Sequence, residues 1–309
     1  MSVVVLAFGL LLLGTPRWLL PVARSLHPRE RVRLSVAGLI VGGALVELAL
    51  FLLALPTVAH AIGIDALAAA CRRLLGDLAP GGLQVGWSAA ALAILLPIVA
   101  YRGWRRAVVS VGEACIESTL GAHREWDGVD VARLPTDVAV AYSTDAGRPQ
   151  IVISDGLVEL LSAGELDAVL RHELAHLRNR DGRLLRVLAG FDAALPALRR
   201  VTQITRIAIE RSADETAAGA DPRDRSTLAG ALVRVAAPDM PAAVAGFTSR
   251  SGVVERVSGL LGPPPAPTIA RRTTAHLAVV GSGGSAALVV GAWMFEAHMM
   301  LSMAGVCRM

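Results

Sequence analysis

The sequence predicts an α-helical membrane protein with four spans and an α+β domain on the cytoplasmic side. Three observations predict this fold class: the apolar composition, the placement of long apolar runs, and the distribution of arginine. The chain has 309 residues, of which 54% are hydrophobic and only 4% aromatic, and its mean hydropathy is +0.54. A soluble domain of ordinary composition is less apolar, so several segments are expected to lie in a membrane.

The predicted spans are four apolar segments, at about residues 2–22, 34–59, 85–101 and 276–301. A helix needs about 20 apolar residues to cross the hydrocarbon layer, and the second segment meets this requirement best. For the first segment, a signal peptide is the competing interpretation. The first segment has no positive n-region and no small-residue cleavage site, which favours a retained span. Residues 60–84 are expected to form a connecting loop.

The chain is expected to have three parts: a membrane region over 1–101, a charged and turn-rich domain over 102–272, and a last span with a short tail over 273–309. Ten arginines lie in the segments 17–33, 102–106 and 271–272, whereas Arg72, Arg73 and Arg308 are the three on the other side. Because basic residues concentrate in cytoplasmic loops, the domain is predicted to be cytoplasmic and both termini extracytoplasmic. The membrane would be the cell membrane.

The basic balance does not indicate nucleic-acid binding. The net charge is +4 with a pI near 9.6, and all 30 basic residues are arginine. Many of these arginines flank apolar runs, as expected of cytoplasmic loops, and no RNA- or DNA-binding motif is found. The expected partners are therefore the lipid bilayer and a protein or peptide, with no direct contact to nucleic acid.

A His-Glu-x-x-His motif occupies residues 172–176. On a helix, positions i and i+4 share a face, so His172 and His176 can bind one metal ion. Glu173 can then reach a water at the metal and act as the catalytic general base. Ser162 and Glu165 form a capping box that begins this helix, and Asn179–Gly182 is expected to end or kink it.

Two histidines leave a zinc site incomplete, since catalytic zinc usually takes three protein ligands and a water. Glu210 stands 34 residues after His176 on a predicted second helix and is the candidate third ligand. Asp214 lies one turn further on the same face, where it can accept a hydrogen bond from a ligand histidine. One Zn²⁺ is therefore the predicted cofactor. Asp181 is interpreted as structural, either a helix cap or the partner of an arginine.

A β-hairpin is predicted just before the motif helix. Its strands are Asp137–Tyr142 and Gln150–Ile153, joined by a turn at 145–147. Such a hairpin offers an edge strand, to which an extended peptide can add through main-chain hydrogen bonds. The hairpin is thus a candidate substrate-binding element.

The segment RHELAHLRNRD, followed by ExxAD, resembles the membrane gluzincins, and most closely the BlaR/MecR family of integral-membrane metallopeptidases. The stretch VISDGLVELLSAGELDAVLRHELAH and the span arrangement are similar too. The resemblance implies a gluzincin zinc-peptidase domain, with His172, His176 and Glu210 as ligands, Glu173 as base and Asp214 as support. It also implies signalling through cleavage of a cytoplasmic BlaI-type transcriptional repressor. Sensor members carry a C-terminal penicillin-binding domain, which this chain is expected to lack.

Two alternatives stay open. HtpX-like membrane quality-control proteases share both motifs, but further apolar spans usually separate them, whereas residues 184–209 are too polar to span. That difference favours the BlaR/MecR family. A non-enzymatic membrane signalling protein with a structural zinc is the alternative outside the enzymes. The sequence also leaves a homodimer as an open assembly state.

Overall fold

The computed structural model describes residues 2–14, 17, 26–75, 82–118, 122–145, 149–236 and 250–263. The chain divides into two compact units. The first unit holds helix α1 and the described part of Arg33–Val99. The second unit holds the described parts of Arg24–Val32 and Ala100–Pro267, including the His-Glu-x-x-His motif.

The long apolar helices are α1 (Ser2–Leu13), α2 (Pro28–Ala61) and α4 (Gly82–Ser118). Among the described residues, two helices are long and apolar enough to be candidate spans: α2, and Leu83–Ser110 within α4. These correspond to the second and third predicted spans. Helix α1 has 12 residues and is about 18 Å long, too short to cross a membrane alone. The predicted span at 276–301 lies outside the described residues, so four spans remain a prediction.

Helices α1 and α2 touch through glycine. A Cβ atom added to Gly42 would lie 2.8 Å from the carbonyl oxygen of Gly9, and one on Gly9 would lie 3.0 Å from the carbonyl oxygen of Gly42. No larger side chain fits between the two backbones. Small residues at such a crossing are typical of helix packing in membranes.

The prediction of a connecting loop over residues 60–84 is wrong in part, because helix α3 (Asp65–Leu75) occupies its centre. The segment is rich in alanine and leucine, which have high helix propensity, and an aspartate in the first turn suits the positive end of the helix. Cys71 is buried on this helix.

Helix α4 does not end where the predicted third span ends. It runs past Tyr101 to Ser118, so the arginines that follow the apolar segment lie on the same helix. In the second unit, its continuation packs on α7 (Asp181–Ala194). A Cβ atom on Gly103 would lie 2.5 Å from the Cβ atom of Ala193, so this close approach requires glycine.

The second unit contains a four-stranded sheet in the order β1-β2-β4-β3. The strands are β1 (Ala122–Trp126), β2 (Val129–Leu134), β3 (Ala141–Thr144) and β4 (Gln150–Ser154). Strands β2 and β4 are parallel, and the other two pairs are antiparallel. The β1–β2 hairpin was not predicted, although its Asp127-Gly128 turn has the positive φ angles, 48° and 75°, of a two-residue hairpin turn.

The predicted β3–β4 hairpin is present, but its first strand begins four residues later than expected. The backbone N–H of Val140 donates to the Ser154 hydroxyl at 2.9 Å instead of to a main-chain carbonyl. Because this side chain takes the place of a ladder partner, residues 137–140 are not part of the strand.

Besides α7 and a short 3-10 helix (Pro196–Leu198), the described part of the second unit contains α5 (Asp155–Leu160), α6 (Ala163–Asn179), α8 (Arg199–Ala218), α9 (Pro222–Val235) and α10 (Arg250–Leu261). Helix α6 carries the His-Glu-x-x-His motif and contacts β3, β4, α8 and α9. The core between sheet and helices is formed by Val131, Ala139, Ile151, Ile153, Leu157, Leu161, Val169, Leu170, Leu174 and Ala231. Helix α6 is therefore held from several directions, which fixes the direction of its polar side chains.

Candidate metal centre

Helix α6 begins and ends with specific caps. The Ser162 hydroxyl accepts a hydrogen bond from the Glu165 backbone N–H, and the Glu165 carboxylate accepts one from the Ser162 backbone N–H at 3.0 Å, so the predicted capping box is confirmed. The helix stops at Arg180, which has the left-handed φ of 59° and donates its N–H to the carbonyls of the last turn. Both ends of the motif helix are thus defined locally.

The structure brings the three predicted ligands together. The Nε2 atoms of His172 and His176 lie 3.1 Å apart. The carboxylate of Glu210 lies 3.5 Å from His172 Nε2 and 3.8 Å from His176 Nε2. Ligands placed about 2.1 Å from a tetrahedral zinc are about 3.4 Å from one another, so this donor set fits one zinc ion. With three protein ligands, the fourth position is open to water or substrate.

A carboxylate faces the Nδ1 atom of each histidine. Asp214, fully buried on α8, has an oxygen 3.0 Å from His172 Nδ1, and Asp181 has one 2.8 Å from His176 Nδ1. Carboxylates in these positions favour the tautomer that carries the proton on Nδ1, which leaves Nε2 free to bind a metal. The face of α8 predicted from the i, i+4 spacing of Glu210 and Asp214 therefore points at the motif helix.

Asp181 has neither of the two structural partners expected of it. It makes no side-chain cap for α7, and Arg178 pairs with Asp127 at 2.8 Å instead. Asp181 reaches His176 because the left-handed turn at Arg180 folds the first residue of α7 back on the last turn of α6. A polar residue directly after such a turn, five positions beyond a candidate ligand, is the signal that could have identified it.

Neighbouring groups of opposite charge shift the pKa values of Glu210 and His176. Burial opposes ionisation of Glu210, but the attraction of Arg256 and then of His176 outweighs burial and holds the pKa of Glu210 well below its usual range. Burial likewise disfavours protonated His176, but the attraction of Glu210 and the hydrogen bond with Asp181 raise its pKa well above the ordinary value. Because zinc binds neutral imidazole, protonation of His176 competes with metal binding.

Arg256 is a site residue that the sequence reasoning missed. It is buried on α10, with 6% of its surface exposed, and forms ion pairs with both Asp214 and Glu210. It lies 46 residues after Glu210, and the part of the chain described between them includes α9. No local spacing links it to the motif, so only the packing of α10 on α8 reveals its position.

The His-Glu-x-x-His helix and this donor set are typical of a zinc metallopeptidase domain. Residues 105–251, slightly under half of the chain, match the sequence profile of Peptidase family M48. The match is to a zinc metallopeptidase family, as the motif predicted. The comparisons do not confirm the BlaR/MecR resemblance.

The chain is also similar to curated proteins named "Protease HtpX homolog". The protein of Pelotomaculum thermopropionicum is 33% identical over 69 residues, which is 22% of this chain and 25% of the relative. The one of Acaryochloris marina is 37% identical over 70 residues, 22% of this chain and 24% of the relative. The one of Pyrococcus abyssi is 40% identical over 65 residues, which is 19% of this chain and 22% of the relative. The matches thus span about a quarter of the length of these relatives. No solved structure matches the chain.

Proposed function

We propose that the chain is a membrane-embedded, zinc-dependent endopeptidase. The observation that carries the proposal is the convergence of His172, His176 and Glu210, whose ligand atoms lie within 4.8 Å of one another. Both histidines have a carboxylate at Nδ1, as catalytic zinc sites require for orientation. The match to Peptidase family M48 supports the same chemistry.

The residues of the chain have distinct roles in this mechanism. A bound zinc supplies a Lewis acid that polarises a scissile carbonyl and lowers the pKa of water. Glu173, buried next to His172 on α6, accepts the proton of the attacking water and passes it to the leaving amine. Asp214 and Asp181 hold the imidazole rings in place while this happens.

Strand β3 is the proposed binding edge for the substrate backbone. It is the last strand of the sheet order and contacts the motif helix α6. No other strand among the described residues pairs with its outer side. An extended peptide that adds to this edge is held by main-chain hydrogen bonds, which suits cleavage of unfolded or extended segments of varied sequence.

The cellular substrate is proposed to be a protein at the cytoplasmic face of the membrane. Similarity to HtpX homologues supports an HtpX-like role in membrane-protein quality control. Cleavage of a single BlaI-like repressor is the second candidate. It is favoured by the region between the two motifs, where neither α7 nor α8 is a candidate span.

Substitution of Glu173 tests the proposed chemistry. We expect Glu173→Ala to keep one zinc per chain but to lose cleavage of a labelled unfolded protein by about 10²- to 10⁴-fold, because general-base catalysis contributes that much. Metal content and cleavage rate of the purified full chain are the measurements. Glu159→Ala, at an exposed glutamate on α5, is the matched control.

Wild-type protein that binds no zinc would contradict the proposal. Full cleavage by Glu173→Ala would contradict the role of the base, and zinc binding without any cleavage would favour the non-enzymatic alternative. Comparing the proteomes of cells that make wild-type or Glu173→Ala protein separates the two substrate classes. Stabilisation of one cytoplasmic repressor indicates signalling, and stabilisation of many damaged membrane proteins indicates quality control.

A further inference from the structure

The guanidinium group of Arg256 joins two carboxylates of the metal centre. Its Nε and Nη2 atoms donate to the two oxygens of Asp214 at 2.9 and 2.7 Å. Its Nη1 atom lies 3.1 Å from Glu210 Oε2. A planar guanidinium presents these donors at fixed angles, so its position fixes the orientation of both acceptors.

Both carboxylates need such a partner. Glu210 and Asp214 lie one turn apart on α8, and two like charges at this spacing, one partly buried and one fully buried, repel each other. The Asp214 oxygen that faces His172 Nδ1 is also the one that accepts from Arg256 Nη2. The Glu210 oxygen nearest to His172 Nε2 is the one next to Arg256 Nη1. Every oxygen that faces His172 is therefore also held by Arg256.

We propose that Arg256 is a positioning residue of the metal centre. Its guanidinium group orients the carboxylate of Glu210 toward the two histidines and the carboxylate of Asp214 toward His172. The proposal rests on the proposed function, since it assigns a role within the same site. Helix α10 is then part of the peptidase centre, although it carries no ligand. Lysine cannot replace this arginine, because one ammonium group cannot hold two carboxylates in fixed orientations.

If Arg256 acted only through its positive charge, it would weaken metal binding, whereas a positioning role strengthens it. Arg256 Nη2 lies 3.3 Å from His172 Nε2, so the positive charge by itself disfavours a cation at that nitrogen. A residue that acted only through charge would weaken metal binding, and a lysine would do the same. Arg256→Lys keeps the positive charge but removes the guanidinium group that contacts both carboxylates, so this substitution separates positioning from charge.

The position of α10 does not depend on Arg256 alone. Arg225 of α9 donates to the carbonyls of Gly259 and Leu260 at 2.8 Å each, and its Nη1 atom lies 2.6 Å from Glu215. Like Arg256, it is buried and pairs with a carboxylate of α8. Arg225→Lys is therefore a matched control, which disturbs the packing of α10 without touching a candidate ligand.

The test is titration of the purified full chain with Co²⁺, whose visible spectrum reports coordination geometry, followed by competition with Zn²⁺. We expect Arg256→Lys to bind zinc about 10- to 100-fold more weakly than wild type, as for other residues that orient ligands, and to alter the cobalt spectrum. Arg225→Lys is expected to keep both. Arg256→Lys with the affinity and spectrum of wild type overturns the proposal, and so does tighter binding.

Two further outcomes are distinguishable. Wild-type protein that binds neither metal contradicts the proposed function itself. If Arg256→Lys does not fold, the double variant Asp214→Asn, Arg256→Gln removes both charges of the pair together. It is expected to fold and to bind cobalt weakly with an altered spectrum. A spectrum and affinity equal to those of the wild type would overturn the positioning role.

Discussion

At the scale of single residues, the metal centre depends on carboxylates that do not bind the metal. His172 and His176 share a helix face because of their spacing, but that spacing leaves the imidazole rings free to rotate. Asp181 restricts this freedom through a hydrogen bond with His176 Nδ1, and Asp214 restricts it by lying 3.0 Å from His172 Nδ1. One of them comes from the helix of the third candidate ligand, and the other from the helix that follows the motif.

Asp181→Ala is expected to lower zinc affinity by about 10- to 100-fold, since the Nδ1–H group of His176 then loses its buried acceptor. Zinc competition on the purified chain is the measurement. Asp127→Ala is the control: it breaks the exposed ion pair with Arg178 of the same helix and should leave zinc affinity unchanged. Equal affinities for Asp181→Ala and wild type would show that Asp181 does not orient His176.

At the scale of elements, the end of β3 is tied to α7 by a forked ion pair. Arg186 donates to the two oxygens of Asp145 at 2.7 and 3.0 Å. The hydrogen bonds and charge of Arg186 outweigh partial burial and lower the pKa of Asp145. The pair therefore connects the proposed substrate edge to the helix that begins with Asp181.

Asp145→Asn is expected to lower the unfolding free energy by about 1 kcal/mol at neutral pH, as for a partly buried charge-assisted hydrogen bond. Because the folded-state pKa is depressed, this contribution is complete above the usual aspartate pKa and is lost as the pH falls through the folded-state value. Thermal unfolding of wild type and Asp145→Asn across pH measures the difference between their unfolding free energies, which should disappear in acid. A difference in unfolding free energy that stays constant across pH would contradict a stabilising role of ionised Asp145.

The sequence predicted some elements correctly and placed the ends of others wrongly. The capping box and the helix carrying Glu210 and Asp214 depend on contacts within a few residues, and both appear as expected. Strand β3 begins late because Ser154, fourteen residues away, takes the hydrogen bond of Val140. Helix α4 continues past the apolar segment, since hydropathy marks where a membrane ends and not where a helix ends.

At the scale of the whole molecule, orientation is predicted from the arginines alone. Positive-inside distribution places the second unit in the cytoplasm and the segment of α3 on the opposite side. The two candidate spans, α2 and Leu83–Ser110, flank α3 in the chain. With this predicted orientation, the proposed peptidase would cut proteins exposed at the cytoplasmic face of the membrane.

Cysteine labelling tests this orientation. In a chain whose native cysteines are replaced by serine, Ala66→Cys on exposed α3 should react with a membrane-impermeant maleimide in intact cells. Ser226→Cys, at an exposed position of α9, should react only after the cells are permeabilised. The reverse pattern would place the second unit outside the cell.

By itself the sequence determined the motif helix, its caps, the two candidate spans and the pairing of Glu210 with Asp214. Each of these follows from spacing along one helix or from hydropathy over one segment. The tertiary structure places Glu210, the candidate third ligand, opposite His172 and His176. The tertiary structure alone decided that Asp181 folds back on His176 and that Arg256 joins Glu210 to Asp214. The physical reason is distance along the chain: contacts between helices depend on how their faces pack, and no local periodicity encodes which faces meet.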